Sequence, residues 1–355
     1  MSKNRSRGFR KSAAPTMLDV AREAGVSVAT VSAVVNGTGV VSPRLTERIE
    51  QAIRSIGYKR NTIARSLKIG TTRTIGLMVA DITNPFFTDV VAVIQAVLLR
   101  AGYAVMLCCS DEDAATQDDQ IRLLLDRMVD GLIIAPAGND ANLKQILDEA
   151  HVPVVLIDRR CDDIETDAVV LDNHRAAFEA TRYLIELGHR RIGYVSGSLD
   201  TSTGRERLAG HRDALKAAGI GASDDLMRLG HYREAGAHQA AMQLLTMPEV
   251  PTAIFSANNL MVIGVMKAIR DLALTCPDDI SVACFDDFPW SAVFQPQLTT
   301  VTQPVQEIGE QAASLLLSRL SGTSDEGPRE IVLRGTLTIR DSCRALPALA
   351  QSAPA

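Results

Sequence analysis

Between Thr16 and Tyr58 apolar residues recur every three or four positions in three short runs, a period that predicts three amphipathic helices. From Thr74 onward the rhythm changes. Short apolar, β-rich runs at 75–80 (IGLMVA), 103–109 (YAVMLCC), 131–136 (GLIIAP), 153–158 (PVVLID), 191–196 (RIGYVS), 253–257 (AIFSA) and 281–286 (SVACFD) alternate with amphipathic helical stretches. Strands separated by helices predict parallel sheets with helices on both faces. These strands are too many for one comfortable sheet, and the rhythm breaks near Leu171–His174. The pattern therefore predicts two successive open α/β lobes behind a small all-helical head. The expected boundaries are a disordered basic arm at 1–15, the head at 16–60 and a linker at 61–72. A core follows at 73–340 and a flexible tail at 341–355. Within the core, lobe 1 is expected to take 73–171 and 303–328, and lobe 2 to take 172–302 and 329–340.

Charge sharpens this division. The net charge is −5, but residues 1–73 hold fourteen Lys and Arg against four Asp and Glu. The head side therefore carries +10 and the remainder −15, the asymmetry expected when one end meets a polyanion. The 46% apolar content suits a water-soluble globular chain. Met1–Lys11 is basic and no apolar stretch follows it, so no secretory signal is expected. No run approaches the length that spans a bilayer, and the expected location is the cytoplasm. Six cysteines lack metal-ligand spacing and several lie in apolar strand-like runs, so a reducing compartment and no metal are expected. No strand is followed by GxGxxG and there is no Walker A motif, so nothing supports a nucleotide cofactor. An enzyme would need a nucleophile–base pair or a metal set, which six scattered histidines do not provide; no catalytic residues and no cofactor are expected.

Residues 18–36, LDVAREAGVSVATVSAVVN, have the parts of a helix-turn-helix. Ala21 lets two helices approach, Gly25 can take the positive φ that ends the first helix, and Ser27 can cap the second. Val31 and Val35 face inward. Ser42-Pro43 opens a third helix with a buried stripe of Leu45, Ile49, Ala52, Ile53 and Ile56. The stretch TMLDVAREAGVSVATVSAVVNGTGVVSPRLTERIEQAIRSIGY closely resembles the head of the LacI/GalR (lactose-repressor) family, and the resemblance runs to about Arg340. It implies a homodimeric repressor that binds double-stranded operator DNA. The implied contacts are Thr16, Ser27, Val28, Ala29, Thr30, Ser32, Ala33, Asn36 and Tyr58 in the head. NTIARSLK (61–68) is similar to the family hinge, whose implied contacts here are Asn61, Ala64, Arg65 and the minor-groove wedge Leu67. Two departures matter. Val28, Ala29 and Ala33 replace larger base-reading side chains, so direct readout is expected to be lean and DNA deformability to count for more. Lys59-Arg60 stands where the family commonly has proline. The tail ALPALAQSAPA lacks an apolar heptad helix, which favours a dimer over a tetramer.

The core resembles the family's effector domain and ribose-type periplasmic sugar-binding proteins, implying two Rossmann-like parallel-sheet lobes around a ligand cleft. The matching positions are Asn84, Phe86, Phe87, Asp158 and Arg159 in the first lobe. In the second they are Thr203, Arg207, Tyr232, Asn258 and Asp286, with Gln303 on the returning connection. Their chemistry suits a polyol: carboxylates accept from paired hydroxyls, guanidiniums donate in a fork, and aromatic rings cover C–H faces. The implied effector is a monosaccharide such as ribose, or a sugar acid received by the two arginines, acting as an inducer. Thr201 stands where purine-repressor members carry an arginine, which disfavours a purine. Trp290 is a further candidate stacking face. His189 in ELGHRRIGYV reads as structural. A transport receptor, the rival binding protein, would require export.

Overall fold

The computed structural model describes residues 15–59, 70–138, 141–323 and 327–347. It divides into two compact units, Met1–Thr72 and Arg73–Ala355. The first holds α1 (Met17–Ala24), α2 (Val28–Asn36) and α3 (Pro43–Ile56). Thr16 caps α1 through a capping box with Asp19, donating its hydroxyl to the carboxylate at 2.7 Å. Ser27 Oγ accepts from the Thr30 amide at 3.1 Å and caps α2. Gly25 takes φ +60 at the turn, a left-handed conformation that a Cβ would strain, and Arg48 of α3 donates to its carbonyl at 3.0 Å. Val20, Ala21, Ala24, Val31, Ile49 and Ala52 form the centre of the head, with Leu45, Val35, Ile53 and Ile56 half-buried around them. Ser42 precedes Pro43 as expected but makes no side-chain cap bond.

The second unit contains two six-stranded sheets. The first runs β11-β5-β4-β3-β1-β2 and is parallel throughout. Its strands are β1 (Thr74–Val79), β2 (Ala104–Cys109), β3 (Gly131–Ile134), β4 (Val154–Asp158), β5 (Asp167–Leu171) and β11 (Glu330–Leu333). The second runs β12-β10-β9-β8-β6-β7 and is parallel except for β12. It comprises β6 (Ile192–Ser196), β7 (Met227–Leu229), β8 (Ala253–Ser256), β9 (Ser281–Phe285), β10 (Thr299–Thr302) and β12 (Thr336–Thr338). The central strands are buried along their whole length, which is why they read as continuous apolar runs rather than alternating ones.

Helices α4 (Pro85–Arg100), α5 (Ala114–Asp126), α6 (Ala141–Ala150) and α11 (Val305–Leu320) serve the first lobe. Helices α7 (Asn173–Glu186), α8 (Ser202–Ala217), α9 (Glu234–Leu245) and α10 (Asn259–Asp271) serve the second. In both sheets one strand has neighbours on opposite sides that follow it in sequence: β1 between β2 and β3, and β6 between β7 and β8. Loops leaving such a strand diverge and open a crevice at its carboxyl end.

Two expected boundaries are corrected. Residues 329–340 are not all in lobe 2: Glu330–Leu333 pairs in parallel with Ala168–Leu171 of lobe 1, and only β12 joins the second sheet. The third crossing between lobes therefore lies after Leu333. The segment 341–347 is not a flexible tail either. Ser342 is buried, donates to the Val282 carbonyl at 2.6 Å and accepts from the Thr299 amide at 2.8 Å. His189, buried between Thr252 Oγ1 at 2.9 Å and the Arg344 carbonyl at 3.2 Å, ties the same segment to the end of α7. Burial holds its imidazole below the usual pKa, in the neutral form.

Candidate ligand cleft and DNA-binding face

Each lobe presents its strand ends to the same narrow cavity. After β1, Asn84 caps α4 by accepting from the Phe86 amide at 2.9 Å, which places Phe86 and Phe87 on the first turn. Their rings meet edge to face, centroids 5.0 Å apart. Asp158 ends β4 and Arg159 follows it; after β6 come Thr203 and Arg207 on the first two turns of α8. Tyr232 follows β7, Asn258 caps α10 after β8, and Asp286 follows β9.

Ten of the eleven candidate residues line this cavity, each lobe contributing one half. Gln303 does not line it. Its amide instead donates to Asp286 Oδ1 at 2.6 Å and fixes that carboxylate from behind. Glu112, which sequence reasoning missed, does line it. Its only signal was an acidic residue just past a strand end, in SDEDAA. Trp290 is largely exposed and packs on Phe288, away from the cavity.

Four lining residues, Glu112, Asp158, Tyr232 and Asp286, have φ between 56° and 66°. A non-glycine residue in this region costs roughly 1 kcal/mol, and such strain persists where the surroundings over-determine it. Here the turn aims each side chain back across its strand end into the cavity.

The charged groups are held on all sides. Arg159 forms a two-pronged pair with Glu112, both bonds 2.7 Å, and donates to the Pro136 carbonyl at 2.9 Å. Its Nε lies 3.3 Å from Asp158 Oδ2, and its guanidinium sits 5.0 Å from the Tyr232 ring centroid. Arg207 donates through Nε to Asn173 Oδ1 at 2.7 Å and through Nη1 to the Ala257 carbonyl at 2.6 Å. Its guanidinium covers the Phe285 ring at 3.9 Å, with Asp286 also 3.9 Å away. The Tyr232 hydroxyl bridges Thr201 and Thr203 at 2.9 and 3.0 Å. Burial pushes the Asp158 carboxyl up to about 6, partly offset by Arg159 and Arg207. Burial raises Asp286 too, against Arg207 and the Gln303 bond. Both would gain from hydroxyl donors that replace lost water.

Contacts across the cleft bring the lobes together. Asn259 donates to Asn84 at 2.9 Å, the Arg160 amide donates to Ser202 at 3.0 Å, and Arg233 pairs with Asp81 at 3.0 Å and with Asp111.

Two family models match, one described as periplasmic binding proteins and sugar binding domain of LacI family over residues 72–339, the other as bacterial regulatory proteins, lacI family, over 16–61. The chain belongs to the LacI family. It is thus a DNA-binding transcription repressor with a sugar-binding type of effector domain, and not an enzyme. The HTH-type transcriptional repressor PurR of Vibrio atlanticus is 36% identical over 312 residues, covering 88% of this chain and 93% of the relative. The ribose operon repressor of Escherichia coli K12 is also 36% identical, over 86% of this chain and 93% of that protein. A crystal structure of the Lac repressor dimer bound to operator and the anti-inducer ONPF is 28% identical, with TM-score 0.83, and covers 94% of this chain and 100% of that one. A LacI-family regulator from Enterococcus faecium with bound ribose is 28% identical at TM-score 0.69, over 77% of this chain and 100% of that one.

On the head of this LacI-family chain, Val28 and Ala29 are exposed on the first turn of α2, with Thr30, Ser32, Ala33 and Asn36 half-exposed. Ser27 and Thr30 share a 2.8 Å hydroxyl contact, and Asn36 donates to Ser32 at 2.9 Å. Tyr58, expected on the DNA side, is mostly buried among the head's apolar residues. Thr16 is engaged with Asp19 in its capping box. Asn61, Ala64, Arg65 and Leu67 lie outside the described residues. No described helix is long and apolar enough to cross a membrane.

Proposed function

We propose that this repressor is a cytoplasmic homodimer that holds a pseudo-palindromic operator and releases it when a neutral monosaccharide, ribose or a similar aldose, binds between its lobes. One observation carries the effector class. Each lobe supplies a buried carboxylate on a strand-end turn, Asp158 and Asp286, and each faces an immobilised guanidinium. These groups accept and donate hydrogen bonds as a ring of hydroxyls requires, and with Glu112 the lining holds one more carboxylate than guanidiniums, which suits a neutral guest. Phe86, Phe87 and Tyr232 suit the C–H faces of the ring, while Thr203 and Asn258 suit single hydroxyls. A sugar acid fits less well, since Glu112 already fills the Arg159 fork.

On DNA, the exposed start of α2 would enter the major groove, with Val28 and Ala29 against thymine methyls and Ser27, Thr30 and Asn36 toward phosphates. Leu67 would open a base step in the minor groove. A ligand moves this equilibrium only through its different affinity for two lobe arrangements. Fluorescence anisotropy with an operator selected from random duplexes tests the scheme. Affinity should fall steeply with salt and fall again at least tenfold when the effective aldose is added. Leu67→Ala should lower affinity and reduce DNA bending, and Arg207→Ala should abolish the sugar response while leaving operator binding in place. Salt-insensitive binding, or sugar release that survives Arg207→Ala, overturns this reading.

A further inference from the structure

Accepting the cleft as a monosaccharide site, we propose that Glu112 is its charge filter: it occupies the Arg159 fork and keeps anionic sugars out. The cavity lining contains three carboxylates, Glu112, Asp158 and Asp286, against two guanidiniums, Arg159 and Arg207. An arginine pair beside a sugar ring would ordinarily invite a carboxylate or phosphate, because the planar fork matches either anion. Glu112 already takes that geometry, with Oε2 on Nη1 and Oε1 on Nη2. The second Nη1 proton goes to the Pro136 carbonyl, and the Tyr232 ring lies against the guanidinium. Arg159 thus has its Nη1/Nη2 fork filled and its Nε turned toward Asp158, while Arg207 has its Nε and one Nη1 proton bound to Asn173 and Ala257.

The backbone holds Glu112 in this role. Asp111 and Glu112 both take left-handed φ, 56° and 61°, between the end of β2 and Asp113, which caps α5 through the Thr116 amide at 2.7 Å. With the turn pinned on both sides, the Glu112 carboxylate has little freedom to swing away from an incoming anion. Like charges inside a low-dielectric cavity repel strongly, so the filter acts by exclusion as well as by occupancy.

The test is calorimetric titration of the full chain with pairs that keep the ring and change the charge. These are neutral aldopentoses and aldohexoses, each against its uronate or its terminal phosphate. Wild type should bind at least one neutral sugar and bind the anionic partner at least tenfold more weakly. Glu112→Gln should shrink that gap at least tenfold by freeing the Arg159 fork. The double variant Glu112→Gln/Arg159→Gln restores the excess of one carboxylate and removes the fork, so it should keep the wild-type preference. Equal wild-type affinity for both members of a pair overturns the filter, and needs no variant to fold. So does a folded Glu112→Gln protein with an unchanged gap, or a double variant that loses discrimination as fully as the single one. If wild type binds no neutral sugar, the monosaccharide reading itself is overturned, and the filter with it.

Discussion

Asp158 illustrates how a residue suited to a ligand burdens the protein that carries it. Its carboxyl is buried, and burial raises it from the usual range to about 6. A raised folded-state value means the folded protein holds its proton more tightly than the unfolded chain. The stability this confers is present below about pH 4 and is lost as pH rises to about 6, a change on the order of 2–3 kcal/mol. Asp158→Asn should therefore flatten part of the fall in stability across that window, measured by urea unfolding at successive pH values. Asp286 shifts in the same direction and will keep the remainder. Sugar affinity should run the other way. It should rise from pH 5 to 7 as the carboxylate ionises and accepts hydroxyl protons, whereas in Asp158→Asn titrations it should be weak and nearly flat. Greater stability with lost binding is the trade expected of a binding site.

Among elements, the crossing of α7 and α8 shows packing serving the site. At Gly210 a Cβ would stand 2.0 Å from the His174 carbonyl oxygen, so the helices approach backbone to backbone. One turn earlier on α8 lies Arg207, whose Nε reaches Asn173 at the start of α7. The close crossing brings those two side chains within bonding distance. His211, next to Gly210, stacks on Tyr194 at 4.7 Å and meets Thr181 of α7 at 3.0 Å, and burial drives its pKa down to about 3. Gly210→Ala should force the helices apart, cost about 2–4 kcal/mol as an overpacked core position, and weaken sugar binding through misplacement of Arg207. Thermal unfolding of the full chain with and without the sugar checks it: a lowered melting temperature with an undiminished sugar-induced rise would exclude the link to Arg207.

At the scale of the whole core, the cleft is closed by few polar contacts, and Arg233 supplies two of them, to Asp81 and Asp111. Arg233 follows Tyr232 directly, while Asp81 follows β1 and Asp111 precedes Glu112, so the latch lies next to the cavity lining on both lobes. Its side chain is about a third exposed, which limits its worth to roughly 1 kcal/mol and makes it sensitive to salt. Arg233→Ala should weaken sugar binding about threefold to tenfold, chiefly by faster release in stopped-flow experiments. The difference from wild type should narrow as ionic strength rises. Unchanged release rates would place lobe closure under the control of other contacts.

Much of this was legible in the chain itself. Helical and strand periods report local burial, and the apolar runs located seven strands of the two sheets; turn and cap chemistry at Gly25 and Ser27 defined the head. Ten cavity-lining residues were named from the resemblance to the family's effector domain, and nearly all lie at strand ends or in the segments that follow, where an open sheet places its ligand. What the chain could not display was pairing between distant segments. Asp167–Leu171 and Glu330–Leu333 became neighbouring strands only through a hydrogen-bond ladder spanning some 160 residues of sequence, and Ser342 of the closing segment became buried only against β9. Glu112 reads as one more solvated acid until folding carries it to Arg159, 47 positions away. Gln303 likewise gave no sign that it would hold Asp286 rather than face the cavity. Backbone propensity and period act over a few residues, whereas charge compensation and second-layer support depend on which side chains the folded lobes bring within 3 Å. Those were decided in three dimensions.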